Sequence, residues 1–253
     1  MRSSATSSER PTGSERRRPS GADDALVAGQ RLRRRPQLSD EVASHLREQI
    51  MTASTRPGEF IRMDDTAERL GVSVTPVREA LLTLRGEGMV NLAPHRGYVV
   101  AELSRTDVED LFWLQGEIAV KLALRTADAI TADQIADLEW HNQQLRAALG
   151  TGDGTQVADA EFEFHRVHNL IASGGKLAWF LLSATRYTPT QLYATDPDWG
   201  SVAVDSHSRL IVAYRDGDRD QVVEQTRRQF TDGAARLTRH LESTGIWDVS
   251  DDT

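Results

Sequence analysis

Cysteine is absent from all 253 residues. Disulfides and thiolate metal sites are therefore excluded. Long apolar runs are missing as well. No stretch approaches the ~18 residues that a membrane span needs, and no charged-then-apolar signal segment opens the sequence. The expectation is a cytoplasmic protein with no membrane partner. Lysine is nearly absent: only Lys121 and Lys176 occur, and the remaining cationic side chains are arginine. That bias reads as the mark of a GC-rich genome rather than of chemistry.

The length suits one large domain or two modest ones. Net charge is −8, and it is unevenly spread. Residues 1–36 hold nine Arg against four acids, and 37–102 hold seven Arg against ten acids. From 103 onward acids outnumber bases by ten. A basic footprint for nucleic acid must therefore be local. It would comprise the Arg-rich start, Arg62, Arg78 and Arg96. An acidic bulk argues against non-specific binding through the whole surface.

Residues 1–36 are rich in Ser, Arg, Gly and Pro and show no sustained period, which predicts a disordered tail. Arg16–Arg18 and Arg33–Arg35 flank an acidic patch in it. The tail is either a solvated segment or a basic arm that adds phosphate contacts.

The stretch from Gly71 to Val90 reads as the second half of a helix-turn-helix. A short helix from Asp65 to Leu70 ends at Gly71, where a left-handed residue is needed. Ser73 or Thr75 can cap the next helix, and Pro76 sits in its first turn. Val77, Leu81 and Leu84 recur at helical spacing as a buried stripe. Val74, Thr75 and Arg78 then lie around the exposed N-terminal turns, the end of a recognition helix that meets base edges. Gly88 stops the helix. Val90–Leu92 and Tyr98–Ala101 read as strands around Pro94-His95-Arg96-Gly97, a β-wing.

This segment resembles the winged helix-turn-helix of the GntR family of bacterial transcription regulators. The likeness runs from Gln37 to Glu102 and rests on an ordered series of matches. These are a first helix over Leu38–Met51, Pro57-Gly58-Glu59, Thr66–Ser73, Thr75–Leu81, Glu87–Val90 and Gly97. The resemblance implies binding to a double-stranded DNA operator, with Arg62, Ser73, Val74, Thr75, Arg78, His95, Arg96 and Gly97 facing the duplex. Many relatives carry Arg where this chain has Val74, which can offer only apolar contact.

From Ser104 onward helix follows helix. Thr106–Ala129 places Leu111, Leu114, Ile118 and Leu122 on one face, with Thr106 and Glu109 as a capping box. Thr131–Leu149, Val157–Ser173, Leu177 to about Tyr193 (interrupted near Pro189), Ala203–Asp216 and Asp218–Ser243 follow. The fold class expected is mainly α: an N-terminal winged helix-turn-helix and an antiparallel bundle of about six helices. The divisions expected are 1–36, 37–102, 103–247 and a tail at 248–253.

The bundle is similar to the FCD-type ligand-binding domain of the FadR-like branch of that family. The matching pieces are Glu161–His165, Asn169–Gly174, Lys176–Trp179, Asp205–His207, Gly217-Asp218 and Leu241–Trp247. The likeness implies a homodimer that reads a short inverted repeat, and a small metabolite effector bound among Glu161, His165, Arg186, His207 and Gln229. Many relatives hold a divalent metal there with Asp-x-x-x-His and one His from each of two later helices.

Glu161 and His165 at i, i+4 share a helix face, and with His207 they suit zinc, nickel, manganese or iron. Glu161 replaces the usual Asp, and Gln229 replaces the last His. His168 is a possible substitute ligand. The alternative is a metal-free polar pocket whose histidines bond an effector directly. Relatives often carry Arg at Gln115. Here Arg186 is the candidate for the charge of an anionic effector, or else an ion pair with a bundle acid. Trp113 and Trp179 read as core or pocket wall.

The leading reading is a metabolite-responsive repressor and not an enzyme. A metal-dependent enzyme built on the bundle and an effector-less dimeric scaffold are the alternatives.

Overall fold

Two leucine-rich stripes and three short strands build the first part of the molecule. The computed structural model describes residues 36–94, 96–189 and 197–248. The Arg-rich start and His95 lie outside the described residues. Helix α1 (Pro36–Met51) buries Val42, Leu46 and Ile50, one turn apart. Helix α2 (Met63–Leu70) ends at Gly71 with φ of 66°, the left-handed backbone that glycine adopts without strain. Helix α3 (Val74–Gly86) buries Val77, Ala80, Leu81 and Leu84 at helical spacing. It stops two residues before Gly88.

Strands β1 (Phe60–Ile61), β2 (Val90–Ala93) and β3 (Gly97–Val100) form an antiparallel sheet in the order β1-β3-β2. Tyr98 and Val100 point into the core at period two. Gly97 has φ of 98°, and a Cβ there would stand 3.1 Å from the Ile61 carbonyl oxygen. The β1 strand is a finding that the sequence pattern did not indicate. Two residues are too few to show an alternation.

Six helices among the described residues make the second part. They are α4 (Arg105–Ala129), α5 (Ala132–Leu149), α6 (Gly154–Ile171), α7 (Gly175–Thr185), α8 (Pro197–Asp216) and α9 (Arg219–Ser243). Helix α4 runs along α9 and also touches α6 and α7, while α5 is flanked by α6 and α8. Caps set the starts. Ser104 and Asp107 form a reciprocal capping box, as do Thr131 and Gln134, while Asp153 and Asp218 accept from backbone N–H groups.

Three expectations are corrected. The capping box of α4 is Ser104 with Asp107, not Thr106 with Glu109, because the N-cap residue lies two positions earlier. Leu114 is exposed; Leu122 is buried as expected, and it shares the buried face of α4 with Phe112, Gln115, Gly116 and Ala119. The fourth bundle helix, expected over Leu177 to about Tyr193 with an interruption near Pro189, ends at Thr185, ahead of that proline; residues 190–196 lie outside the described set.

The two parts share one apolar cluster. It runs from Leu46, Leu81 and Val90 to Phe112, Trp199, Leu237 and Leu241. Polar ties cross the same junction. Arg56 donates to the Thr244 carbonyl at 2.7 Å, and beside it the Trp247 indole donates at 2.6 Å to the carbonyl of Leu103, in the segment that links β3 to α4. The Tyr187 hydroxyl donates to the Glu87 carbonyl at 2.8 Å.

Deep in the bundle His168 meets the Tyr214 hydroxyl at 2.5 Å. Burial pushes this imidazole from 6.5 to about 4, with the nearby His165 adding to the effect. Its neutral form is the one the fold prefers. The associated stability is therefore present above pH 6.5 and lost as pH falls toward 4. One such proton gives a slope of up to about 1.4 kcal/mol per pH unit. Urea unfolding at constant ionic strength should show stability declining over that range, and His168→Gln should make the decline shallower by about one proton. Equal slopes for the two proteins would contradict this placement of the charge.

Candidate functional site

The N-terminal end of α3 is open to solvent at Ser73, Thr75 and Arg78. Arg62, just ahead of α2, and Arg96, in the turn between β2 and β3, are exposed too. The Arg96 guanidinium lies over the Phe60 ring at 5.9 Å. Val74 differs from the expectation of an exposed contact. It is half-buried and packs against the core, so only part of it remains available to a duplex.

Within the bundle a polar cluster is enclosed by apolar neighbours. One turn of α6 separates Glu161 from His165, and the His165 Nε2 lies 3.2 Å from the Glu161 Oε1. From α8, His207 reaches the same carboxylate oxygen at 3.7 Å. The His207 ring is fully buried and stacks on Phe164 at 3.7 Å between centroids. From α9, the Gln229 Nε2 stands 3.0 Å from the His165 Nε2 and 3.2 Å from the His207 Nε2.

The tautomer of His207 follows from a neighbour that sequence inspection missed. The Asn142 amide nitrogen donates to the Val204 carbonyl and to Ser208, each at 3.0 Å. A backbone carbonyl only accepts, so this end of the amide must be the NH2. The Asn142 Oδ1 therefore accepts from the His207 Nδ1 at 3.2 Å. The His207 Nε2 lone pair is left facing the cluster, the arrangement that a metal-binding imidazole requires. Asn142 lies mid-helix on α5, and nothing in its sequence neighbourhood signals the role.

Burial pushes the His207 imidazole down to about 3, against the opposing pull of Glu161. Burial also pushes the Glu161 carboxyl up, but the facing His207 and His165 outweigh it and hold the group below the ordinary carboxylate value. With His207 neutral, the hydrogen bond from His165 is the contact that sustains the anion. The second oxygen, Glu161 Oε2, is buried and has no hydrogen-bond partner among the described residues.

The donor set leaves a conflict. A single His165 Nε2 cannot give its proton to Glu161 and also accept one from Gln229. A cation among the three groups would remove the conflict and satisfy the orphaned oxygen. Glu161, His165 and His207 present ligand atoms within 4.8 Å of one another, so the residues fit a divalent ion. Turning the Gln229 amide over would add an oxygen donor. His168 is not part of this set, because its Nε2 is taken by Tyr214.

The cluster opens on a cavity of about 700 Å³ bounded by α4, α6, α7, α8 and α9. Its wall is mostly apolar and includes Phe112, Trp179, Leu181 and Trp199, with Arg166 and Arg236 as its cations. Trp179 is thus pocket wall but 60% exposed, and Trp113, which does not line the cavity, is 66% exposed.

Arg186 is corrected. It is absent from the cavity wall, and its guanidinium faces Glu87 at 3.9 Å. Its place past the last turn of α7 turns it toward the winged helix. Gln115 is buried on the cavity's edge. It donates to the Ala184 carbonyl at 3.1 Å and accepts from the Thr188 hydroxyl at 3.4 Å.

Two family models match in order along the chain. Residues 38–100 match the bacterial regulatory proteins of the gntR family, and residues 110–232 match the FCD domain. The HTH-type transcriptional regulator McbR of Escherichia coli (strain K12) is 28% identical over 120 residues, covering 47% of this chain and 54% of that protein. The chain thus matches little more than half of that relative's length. An uncharacterized HTH-type transcriptional regulator from the TAR-I ttuE-ttuC′ intergenic region of Agrobacterium vitis is 32% identical over 124 residues. That match covers 47% of this chain and 72% of the relative. The solved structure of E. coli McbR/YncC superposes with a TM-score of 0.62 at 21% identity, over 80% of this chain and 97% of that one. This chain belongs to the GntR family of bacterial regulatory proteins, with an FCD domain following its helix-turn-helix.

Proposed function

We propose that the chain is a sequence-specific DNA-binding regulator of transcription, working as a homodimer on a short inverted repeat. In this reading a small molecule held in the bundle sets operator affinity, and repression is relieved when it binds. The observation that carries the reading is the pairing of two surfaces in one chain. An open recognition-helix end carries Ser73, Thr75 and Arg78, and an enclosed polar cluster opens on a cavity of ligand size. The domain division proposed is a winged helix over 37–102 and an effector-binding bundle over 103–247.

Arg78 is the proposed base-reading anchor, with Thr75 beside it. Arg62, Arg96 and the backbone at Gly97 serve phosphate contacts. Trp113, Leu114, Phe180 and Leu182 are large exposed apolar residues on α4 and α7 that a second copy would cover. The effector proposed has an apolar body against the Phe112 and Trp199 side. Its polar or anionic end meets His165, Gln229 and the cations Arg166 and Arg236.

A divalent ion such as zinc, nickel, manganese or iron would be held by Glu161, His165 and His207. When bound it supplies a Lewis-acidic position for an effector oxygen. The chain's own residues orient that position: Asn142 fixes the His207 ring, and Gln229 closes the remaining side.

An operator can be selected by the full chain from a random duplex pool. Arg78→Ala should weaken binding to it by about 1–3 kcal/mol while preserving the far-UV helix signal. Undiminished affinity would remove Arg78 from base reading. For the metal, zinc titration followed by calorimetry and melting should show one ion per chain and a raised Tm. Gln229→His should tighten uptake by completing the imidazole set, and His165→Ala with His207→Ala should abolish it. No uptake by either the wild type or Gln229→His under saturating zinc would rule out the metal reading.

A further inference from the structure

The last turn of α7 faces two ways. Thr185 and Thr188 stand on the cavity wall. Between them in sequence, Arg186 and Tyr187 turn to the winged helix. The Tyr187 hydroxyl donates to the main-chain carbonyl of Glu87 at 2.8 Å, and its ring packs against the cluster that includes Leu84 and Val90. Glu87 is the residue that caps the recognition helix α3. Its carboxylate is held by a two-point contact from buried Arg47, at 2.9 Å for each bond. On the cavity side, buried Gln115 holds the Ala184 carbonyl and the Thr188 hydroxyl. A four-residue stretch therefore connects the cavity wall to the end of the DNA-reading helix, with polar contacts at both ends.

The geometry points to residues 185–188 as the strut that transmits cavity occupancy to the recognition helix, with Tyr187 as its positioning residue. This rests on the reading of the cavity as the effector's site. A molecule that presses on Thr185 or Thr188, or takes the hydrogen bonds of Gln115, shifts the end of α7. Tyr187 cannot move without either losing the Glu87 carbonyl or carrying it along. Because Glu87 is also tied to Arg47 on α1, a shift of its carbonyl rotates the end of α3 against α1 rather than displacing the winged helix as a whole. Coupling of this kind requires two arrangements of one element that both sites bias, and the turn after α7 is that element.

The lack of native cysteine allows a test that needs no knowledge of the effector. Ala158 lines the cavity from α6, well away in sequence from the strut. Ala158→Cys modified with N-ethylmaleimide places a known group inside the cavity, and Val202→Cys, on the wall from α8, is the second position if the first variant folds poorly. Affinity for the selected operator is measured for unmodified and modified protein, with Tyr187 intact and with Tyr187→Phe. Hydrogen exchange is followed in parallel at the amides of residues 86–90.

Modification should change operator affinity by about tenfold and alter exchange at residues 86–90 when Tyr187 is present. In Tyr187→Phe both responses should fall to less than twofold, although labelling stoichiometry and Tm remain close to those of the parent. An equal response in both backgrounds overturns the strut and leaves the cavity as the regulatory site. No response to modification in any background at either labelled position overturns the cavity reading and the strut with it.

Discussion

Arg47 is buried in the winged helix because Glu87 meets it with both carboxylate oxygens. A guanidinium withdrawn from water is costly unless its charge and its donors are matched, and a planar two-point contact matches both. The pair fixes the end of α3 against α1, which in turn sets how far Thr75 and Arg78 project at the other end of the same helix. Tyr187 adds a third attachment at the carbonyl of the same residue. The recognition helix is therefore held at its C-terminal end by both halves of the molecule, while its N-terminal end stays open to solvent. Apolar packing continues across the junction, from Leu81 and Val90 to Phe112 and Trp199, so strain at the cavity wall has a dense medium to travel through.

The polar cluster in the bundle is organised by a different constraint. Glu161 and His207 are buried, and each finds its protein partners among a few side chains. Asn142 settles the proton on His207, and His165 supports the Glu161 anion, yet among the described residues the second carboxylate oxygen has no donor to accept from. A buried acceptor in that state is expensive to keep unless a ligand or cation completes it. In the proposed reading, a bound cation or effector supplies that completion. The family's usual imidazole is replaced by Gln229, which softens the demand for a metal without removing the three other donors.

Much of this was legible in the sequence. Gly71, Pro76 and the Val77-Leu81-Leu84 stripe carry the helix-turn-helix because left-handed backbone, a free first turn and helical spacing are local properties. Glu161 and His165 could be placed on one face by their separation, and His207 and Gln229 came from resemblance to the family. Other features depend on packing and have no local signal. Gln115 and Asn142 are amides in the middle of long helices, and their partners are 69 and 62 residues away at Ala184 and Val204. Arg186 was misplaced for the same reason: a cation near a cavity's edge can turn to either side, and here the carboxylate of Glu87 turns it outward. Leu114 fits an apolar stripe by spacing, but the face of α4 that meets α9 is centred on Phe112, Gly116 and Ala119, whose small residues let the two helices approach.

A hydroxyl-radical footprint of the selected operator, bound by the full chain, tests the central claim most directly. Two recognition helices presented by a homodimer should protect two half-sites centred about one helical turn apart, roughly 10 base pairs or a multiple of it. The halves should read as an inverted repeat. A single protected half-site, or uniform protection with no sequence emerging from the selection, would contradict a dimeric, sequence-reading regulator.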